Sequence, residues 1–149
     1  IALGRLAAAE STFDQEIIGR WFEACYLSSQ GYAPTIGFCM LCEGKISFSR
    51  NEREKCVPFS VIHGGTICDS CLPNAHGVIK VPVQALRVLH RLSLCEMPPT
   101  SERASNLWHI DKDILSNLRD LLRLCIEQHP DIHTKSRSFL TEILAETLV

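Results

Sequence analysis

The chain has 149 residues, of which 46% are hydrophobic, and its net charge is −2. This length fits one domain, or one domain with a small insertion, and the hydrophobic content is enough to build a core. The charge excludes a strongly basic protein whose whole surface attracts nucleic acid, so such binding would need a local cluster of cations. No apolar run approaches the roughly 20 residues of a membrane span, and we expect no membrane contact.

The first clear element in chain order is a helix predicted over residues 12–29. Thr12 and Gln15 match a capping box at its start. Ile17 and Trp21 recur at helical spacing and belong to an apolar stripe along one face. A glycine and a proline follow residue 29, which favours the end of the helix there.

The stretch 36–79 has a different composition from the rest of the chain, with five glycines and two pairs of cysteines. Residues 45–49 and 56–62 alternate polar and apolar side chains, as strands do, and the charged residues 50–55 between them predict a hairpin tip. We therefore expect a small zinc ribbon inserted between helices.

Helical periodicity returns after residue 80. A helix is predicted from Pro82, a linker with at most one helical turn over 100–109, a long helix over 111–128 and a last helix over about 134–147. The expected fold class is mainly α, a small helical bundle with an inserted four-cysteine zinc ribbon. We divide it into N-terminal helices (1–35), the ribbon (36–79) and C-terminal helices (80–149).

Two C-x-x-C pairs, separated by 25 residues, carry the strongest chemical signal of the chain. Two such pairs supply the four thiolates that close a tetrahedral structural zinc site. The predicted ligands of one Zn²⁺ ion are Cys39, Cys42, Cys68 and Cys71. The ion could serve only as a staple for the ribbon, or the ribbon surface could also touch DNA or a partner.

Catalytic interpretations of the cysteines and histidines find little support. A thioredoxin-like role for C-x-x-C needs a βαβ setting, and a zinc deaminase needs H-x-E before its cysteines; no histidine here precedes a glutamate at that spacing. A four-thiolate site leaves no position for water. We therefore expect a protein that is not an enzyme, reduced and cytosolic, with its other four cysteines free of disulfides.

Cations concentrate in two places. Lys80, Arg87 and Arg91 lie in a stretch without acids, and Lys135 with Arg137 flanks the start of the last predicted helix. Helix N-termini attract phosphate, so Lys135 and Arg137 are candidate contacts to a nucleic acid backbone. The alternative is a solvated helix cap with both cations exposed.

Several strings together resemble the C-terminal region of the RecO family, bacterial recombination mediators of the RecF repair pathway. They are Gly31-Tyr32-Ala33-Pro34 just before the first cysteine pair, Gly64-Gly65 before the second, and Lys135-Ser136-Arg137-Ser138-Phe139-Leu140. The resemblance covers nearly the whole chain, and the combination of strings is more specific than any one of them.

The resemblance implies a DNA repair and recombination mediator, located in the cytoplasm at the nucleoid. Such a protein binds single- and double-stranded DNA, anneals strands, pairs with RecR and helps to load RecA. It also contacts the acidic, apolar tail of the single-stranded-DNA-binding protein through its helical domain. Cations on helices could rim the site for that tail, namely Arg87, Arg91, Arg119 and Arg123.

The family carries an N-terminal OB-fold, and nothing in these 149 residues resembles a five-stranded barrel. We expect a further N-terminal part to precede Ile1. A competing function, from another class, is a zinc-ribbon module for protein–protein interaction that never touches nucleic acid, which the mild acidity favours.

Overall fold

The computed structural model describes residues 12–48, 55–129 and Glu142. In this part of the chain, four α-helices accompany a three-stranded antiparallel sheet. The helices are α1 (Thr12–Ser29), α2 (Val83–Leu94), α3 (Ser101–Leu107) and α4 (Lys112–Glu127). The strands are β1 (Cys56–Ser60), β2 (Gly65–Thr66) and β3 (Val78–Pro82), and Leu72–Asn74 form a short 3-10 helix. Helices take up roughly half of the described residues, so the expected mainly-α class is met only in part.

The long helices begin and end close to the predicted residues. Helix α1 has the predicted bounds, and α4 lies within the predicted stretch 111–128. Asp111 caps α4, because its carboxylate accepts a 2.8 Å hydrogen bond from the amide of Ile114. Such a cap satisfies one of the amide groups that a helix leaves without an intrahelical partner.

A single hydrophobic core joins helices α1, α2 and α4 to the inner face of the sheet. The apolar stripes predicted for α2 and α4 point inward, although Ile114 is only half-buried. Trp21 of α1 lies in this core, and its indole nitrogen donates a 3.0 Å hydrogen bond to the carbonyl of Cys95 just beyond α2. The largest fully buried side chains of the core are Phe59, Ile17, Leu27, Ile67, Leu86, Leu89, Leu92, Leu115, Leu118, Leu121, Leu122 and Val83.

The sheet has the order β2-β1-β3, which places β1 in the middle. Val57 pairs with Val81 and Phe59 with Ile79 across β1 and β3, while Phe59 pairs with Thr66 of β2. The strand predicted at 56–62 is confirmed as β1, but its predicted pairing with 45–49 is wrong. Lys45 forms only an isolated bridge with Phe38, and the predicted tip largely lies outside the described residues.

The reason for this difference is a competing strand. The β-branched residues of β3 favour an extended backbone, and their alternate side chains bury apolar surface against the helices. Residues 45–48 bury less apolar surface than β3 does, because two of their four side chains are exposed.

The predicted linker 100–109 also contains more structure than expected, since α3 occupies Ser101–Leu107. Its N-cap is Thr100, whose hydroxyl accepts a 3.3 Å hydrogen bond from the amide of Arg103. The helix predicted over 134–147 lies outside the described residues, apart from Glu142. Among the residues that the structure describes, no helix has the length and apolar character needed to cross a membrane.

Candidate metal centre

The first cysteine pair lies in a tight turn that is closed by backbone hydrogen bonds. The amide of Cys39 donates to the carbonyl of Gly44 over 2.8 Å, and the amide of Glu43 donates to the carbonyl of Cys39 over 2.9 Å. Glu43 takes the left-handed backbone conformation, with φ of 63°. Gly44 serves the turn differently, because a Cβ atom there would lie 3.2 Å from the sulfur of Cys42. The missing side chain thus leaves room for a ligand atom.

The second cysteine pair follows β2, and Thr66 fastens it to the first pair. Thr66 is fully buried, and its hydroxyl donates a 2.8 Å hydrogen bond to the carbonyl of Phe38. Its backbone carbonyl accepts a 3.0 Å hydrogen bond from Met40, between the first two cysteines. Thr66 was not among the predicted site residues. The signal available was a lone hydroxyl residue between the glycine pair and Cys68.

These two turns bring the four predicted cysteines together. The sulfur atoms of Cys39, Cys42, Cys68 and Cys71 all lie within 4.8 Å of one another. The sulfurs of Cys42 and Cys68 are 3.8 Å apart. Zn–S bonds of about 2.3 Å in a tetrahedron place neighbouring sulfurs about 3.8 Å apart. The donor set and its spacing therefore fit a zinc ion, and these residues could hold a metal.

The amide groups around Cys39 favour a thiolate there. Burial opposes its ionisation, but hydrogen bonds from the backbone amides of Cys68, Cys42 and Leu41 outweigh burial and lower the pKa of Cys39 to about 6. The pKa of Cys71 moves the other way, to about 12, chiefly because its thiol is hydrogen-bonded to Cys68. Without a cation, the cluster thus favours a thiolate at Cys39 and a neutral thiol at Cys71. A divalent cation would favour the thiolate form of all four ligands.

A metal held by four thiolates would have a closed coordination shell, so its chemical role would be to hold the two turns together. Among the described residues, the cluster within ligand distance contains cysteines alone. His63 and His76, which lie near the second pair in sequence, are not part of it.

Gly65 packs closely against the segment that carries the first cysteine pair, which allows a test. A Cβ atom at this position would lie 2.6 Å from the carbonyl oxygen of Thr35 and 2.7 Å from the side chain of Met40. We expect Gly65→Ala to lower the free energy of unfolding by about 1–3 kcal/mol, the usual cost of overpacking. Metal affinity should also fall, by about 10–100-fold, as for other changes just outside a metal shell.

Gly19→Ala is the matched control, because a Cβ atom at Gly19 meets nothing within 4 Å. This glycine lies in the interior of α1, where alanine is preferred by about 1 kcal/mol. Denaturant titration and metal competition measure both variants. A stable Gly65→Ala protein with unchanged metal affinity would contradict the close packing of the two turns.

The four other cysteines lie apart from this cluster. Cys125 is buried in the core, and burial raises the pKa of its thiol to about 12. Cys25 is half-buried, and its thiol contacts the carbonyl of Leu92 at 3.8 Å. Burial, followed by the nearby Cys95, raises the pKa of Cys25. These thiols favour the neutral form, and Cys25 and Cys125 match the predicted apolar helix faces.

The arginines predicted to rim a partner site have different surroundings. Arg119 lines a cavity of about 390 Å³ between the N-terminal parts of α1 and α4. Arg87 instead donates to the carbonyl of Phe48 over 3.3 Å, and Arg123 pairs with Glu127 at 3.1 Å. Arg91 lies exposed in the last turn of α2. Lys135 and Arg137 lie outside the described residues.

The protein is of the class in which a helical domain carries a small insert with a four-cysteine metal centre. Comparison with known sequences identifies its family. The family model for the C-terminal part of recombination protein O matches residues 1–138. This chain therefore belongs to the RecO C-terminal family, as the sequence analysis predicted.

Curated relatives carry the name DNA repair protein RecO. The relative from Desulforamulus reducens is 26% identical over 138 residues, covering 91% of this chain and 48% of the relative. That from Dehalococcoides mccartyi is 28% identical over 136 residues, covering 87% and 48%. That from Myxococcus xanthus is 27% identical over 125 residues, covering 82% and 43%. The chain thus spans about half the length of these relatives. No solved structure gives a significant match.

Proposed function

We propose that this chain is the C-terminal part of a DNA repair mediator that acts in homologous recombination by the RecF pathway. In this proposal the whole protein binds single- and double-stranded DNA, anneals complementary strands and works with RecR to load RecA. The observation that carries the proposal is the match of the RecO C-terminal family model over residues 1–138. Relatives named DNA repair protein RecO, aligned over most of the chain, support it.

The proposed role of the cysteine cluster is structural and not catalytic. One Zn²⁺ ion held by Cys39, Cys42, Cys68 and Cys71 would join two turns that have only a small sheet to support them. The insert, which we place at residues 36–79, would then present a fixed surface beside the helices. A mediator needs such fixed binding surfaces and no activated water.

The proposed contacts to the DNA backbone are Lys135 and Arg137. We expect Lys135→Ala with Arg137→Ala to weaken binding of the full-length gene product to single-stranded DNA. A plot of log K against the logarithm of the salt concentration has a negative slope. Each lost phosphate contact should lower the magnitude of this slope by about 0.7. The measurement is fluorescence anisotropy with a labelled oligonucleotide at several salt concentrations.

Ser138→Ala is the control for this segment, because it removes a hydroxyl and leaves both charges in place. We expect the salt dependence of this variant to equal that of the parent protein. Equal slopes for the parent and the double variant would remove Lys135 and Arg137 from the DNA-binding surface, and would favour the solvated cap.

The cavity between α1 and α4 supports contact with the tail of the single-stranded-DNA-binding protein. Phe13 contributes an apolar side chain there, Lys112 and Arg119 contribute two positive charges, and Glu16 contributes one negative charge. Apolar pockets with a cationic rim suit acidic peptides that carry apolar residues. Arg119 is the arginine whose position best supports this role.

A second candidate function is protein–protein interaction without nucleic acid. Exposed apolar side chains near the cysteines favour it, since Phe38 and Leu41 lie in the first turn and Leu72 follows the second pair. The net charge of −2 also favours it. The anisotropy experiment at low salt separates the two functions, because an interaction module alone would leave the oligonucleotide free.

A further inference from the structure

An open groove runs between residues 45–48 and the beginning of β1. Its volume is about 230 Å³, and its walls include Lys45 and Phe48 on one side and Lys55 and Pro58 on the other. Asp69, at the second cysteine pair, also contributes to the lining. No feature of the proposed function assigns a role to this groove.

Hydrogen bonds hold both walls of the groove in place. On one wall, the amide of Ile46 donates to the carbonyl of Gly37 over 2.8 Å, and Arg87 holds the carbonyl of Phe48. On the other wall, the carbonyl of Pro58 accepts a 3.0 Å hydrogen bond from the amide of Ile67. A ligand would therefore meet a largely preformed surface, which lowers the ordering cost of binding.

The charges of the groove suit an anion. Lys45 and Lys55 are exposed on opposite walls. Lys80 of β3 pairs directly with Pro58, so its side chain emerges on the same face of the sheet. Asp69 is the one acidic residue among the described residues that line the groove. The described lining thus combines two lysines and one carboxylate with an apolar floor formed by Ile46, Val57 and Ile67.

The size and the backbone of the groove decide which anion fits. Small-molecule sites usually enclose about 300–1,000 Å³, so this open groove is better suited to a polymer that passes through it. A peptide could join as an extra strand only at a free strand edge. At Pro58 there is none, because Pro58 lacks an amide hydrogen, its carbonyl is occupied, and β3 covers the other side.

We propose that this groove binds a short stretch of single-stranded nucleic acid, with phosphates near Lys45, Lys55 and Lys80 and a base above the apolar floor. Grooves that bind single strands combine cations along the backbone with apolar or aromatic surface under the bases. This inference rests on the proposed function, since it names a contact surface for DNA on the insert.

The test uses the full-length gene product and a fluorescein-labelled oligothymidylate at several salt concentrations. We expect Lys45→Gln with Lys55→Gln to lower the salt slope by about 1.4, which corresponds to two lost phosphate contacts on a single strand. The affinity should fall with the slope. Asp69→Asn should raise the affinity, because it removes the carboxylate that opposes the phosphates.

Glu96→Gln is the matched control, because Glu96 is an exposed acid beyond the end of α2 that does not line the groove. It should leave the affinity unchanged. Metal content and the circular dichroism spectrum of each variant show that the insert and helices remain folded.

The experiment distinguishes a failure of the proposed function from a failure of the groove inference. A parent protein that binds no oligonucleotide at low salt would overturn the proposed function and this inference together. A parent that binds, with a lysine variant of unchanged affinity and slope, would overturn the groove alone. An equal loss on duplex DNA would overturn its assignment to single strands. If these substitutions weakened the binding of an acidic peptide and left oligonucleotide binding unchanged, the groove would be assigned to a protein partner instead.

Discussion

Removal of one thiol from each turn, in Cys39→Ala with Cys68→Ala, should abolish metal binding and unfold the insert. The two remaining sulfurs cannot close a tetrahedral site. Structural zinc in small domains binds with about 10–16 kcal/mol, and this free energy is largely folding free energy because the unfolded chain has no preformed site. The insert has only a small sheet to replace it. Elemental analysis and thermal melting by circular dichroism measure the two effects.

Cys56→Ser is the control for this experiment. Cys56 is an exposed cysteine of β1 that lies outside the four-sulfur cluster. Its substitution should leave metal content and the melting temperature unchanged. Protein purified under reducing conditions that contains no stoichiometric metal, or a double variant that keeps its metal, would contradict the proposed zinc site.

Phe59→Ala should cause a large loss of stability while it leaves the cysteines intact. Phe59 lies in the central strand, is fully buried and belongs to the core that the strands share with the helices. Truncating a buried phenylalanine to alanine costs about 3–5 kcal/mol, since apolar contacts are lost and a cavity remains. A domain with a typical stability of about 5–15 kcal/mol would lose a large part of it. Denaturant titration with helical circular dichroism measures this loss.

Phe38→Ala provides the same chemical change on the surface. The side chain of Phe38 is 52% exposed, against 0% for Phe59. We expect the control to change the free energy of unfolding by no more than about 0.5 kcal/mol. Similar losses in both variants would show that the sheet and the helices do not share one core.

Periodicity predicted the long helices well because their side chains follow one rule over several turns. The stripe of α2, formed by Ala85, Leu86, Leu89 and Leu92, is buried as predicted. The pairing of strands was not predictable in the same way. Residues that meet across β1 and β3, such as Val57 and Val81, are distant in sequence, and no turn signal near either one specifies the partner.

The candidate site was likewise predictable only in part. Spacing alone indicated the four cysteines, because a metal needs a fixed number of donors in a fixed arrangement. Spacing could not indicate Thr66, whose role depends on a carbonyl 28 residues away. The groove beside Lys45 and Lys55 was equally hidden, since it exists only when distant segments have come together.

The junction between the sheet and the bundle has a mechanical consequence. Strand β3 ends at Pro82 and α2 begins at Val83, so no residue separates them. Proline restricts rotation about its own backbone, and the amide of Val83 is tied to the carbonyl of Lys55 over 2.8 Å. This connection is too short and too constrained to act as a hinge. A force that a bound strand or partner applied to the insert would therefore be transmitted directly to α2 and to the helices packed around it.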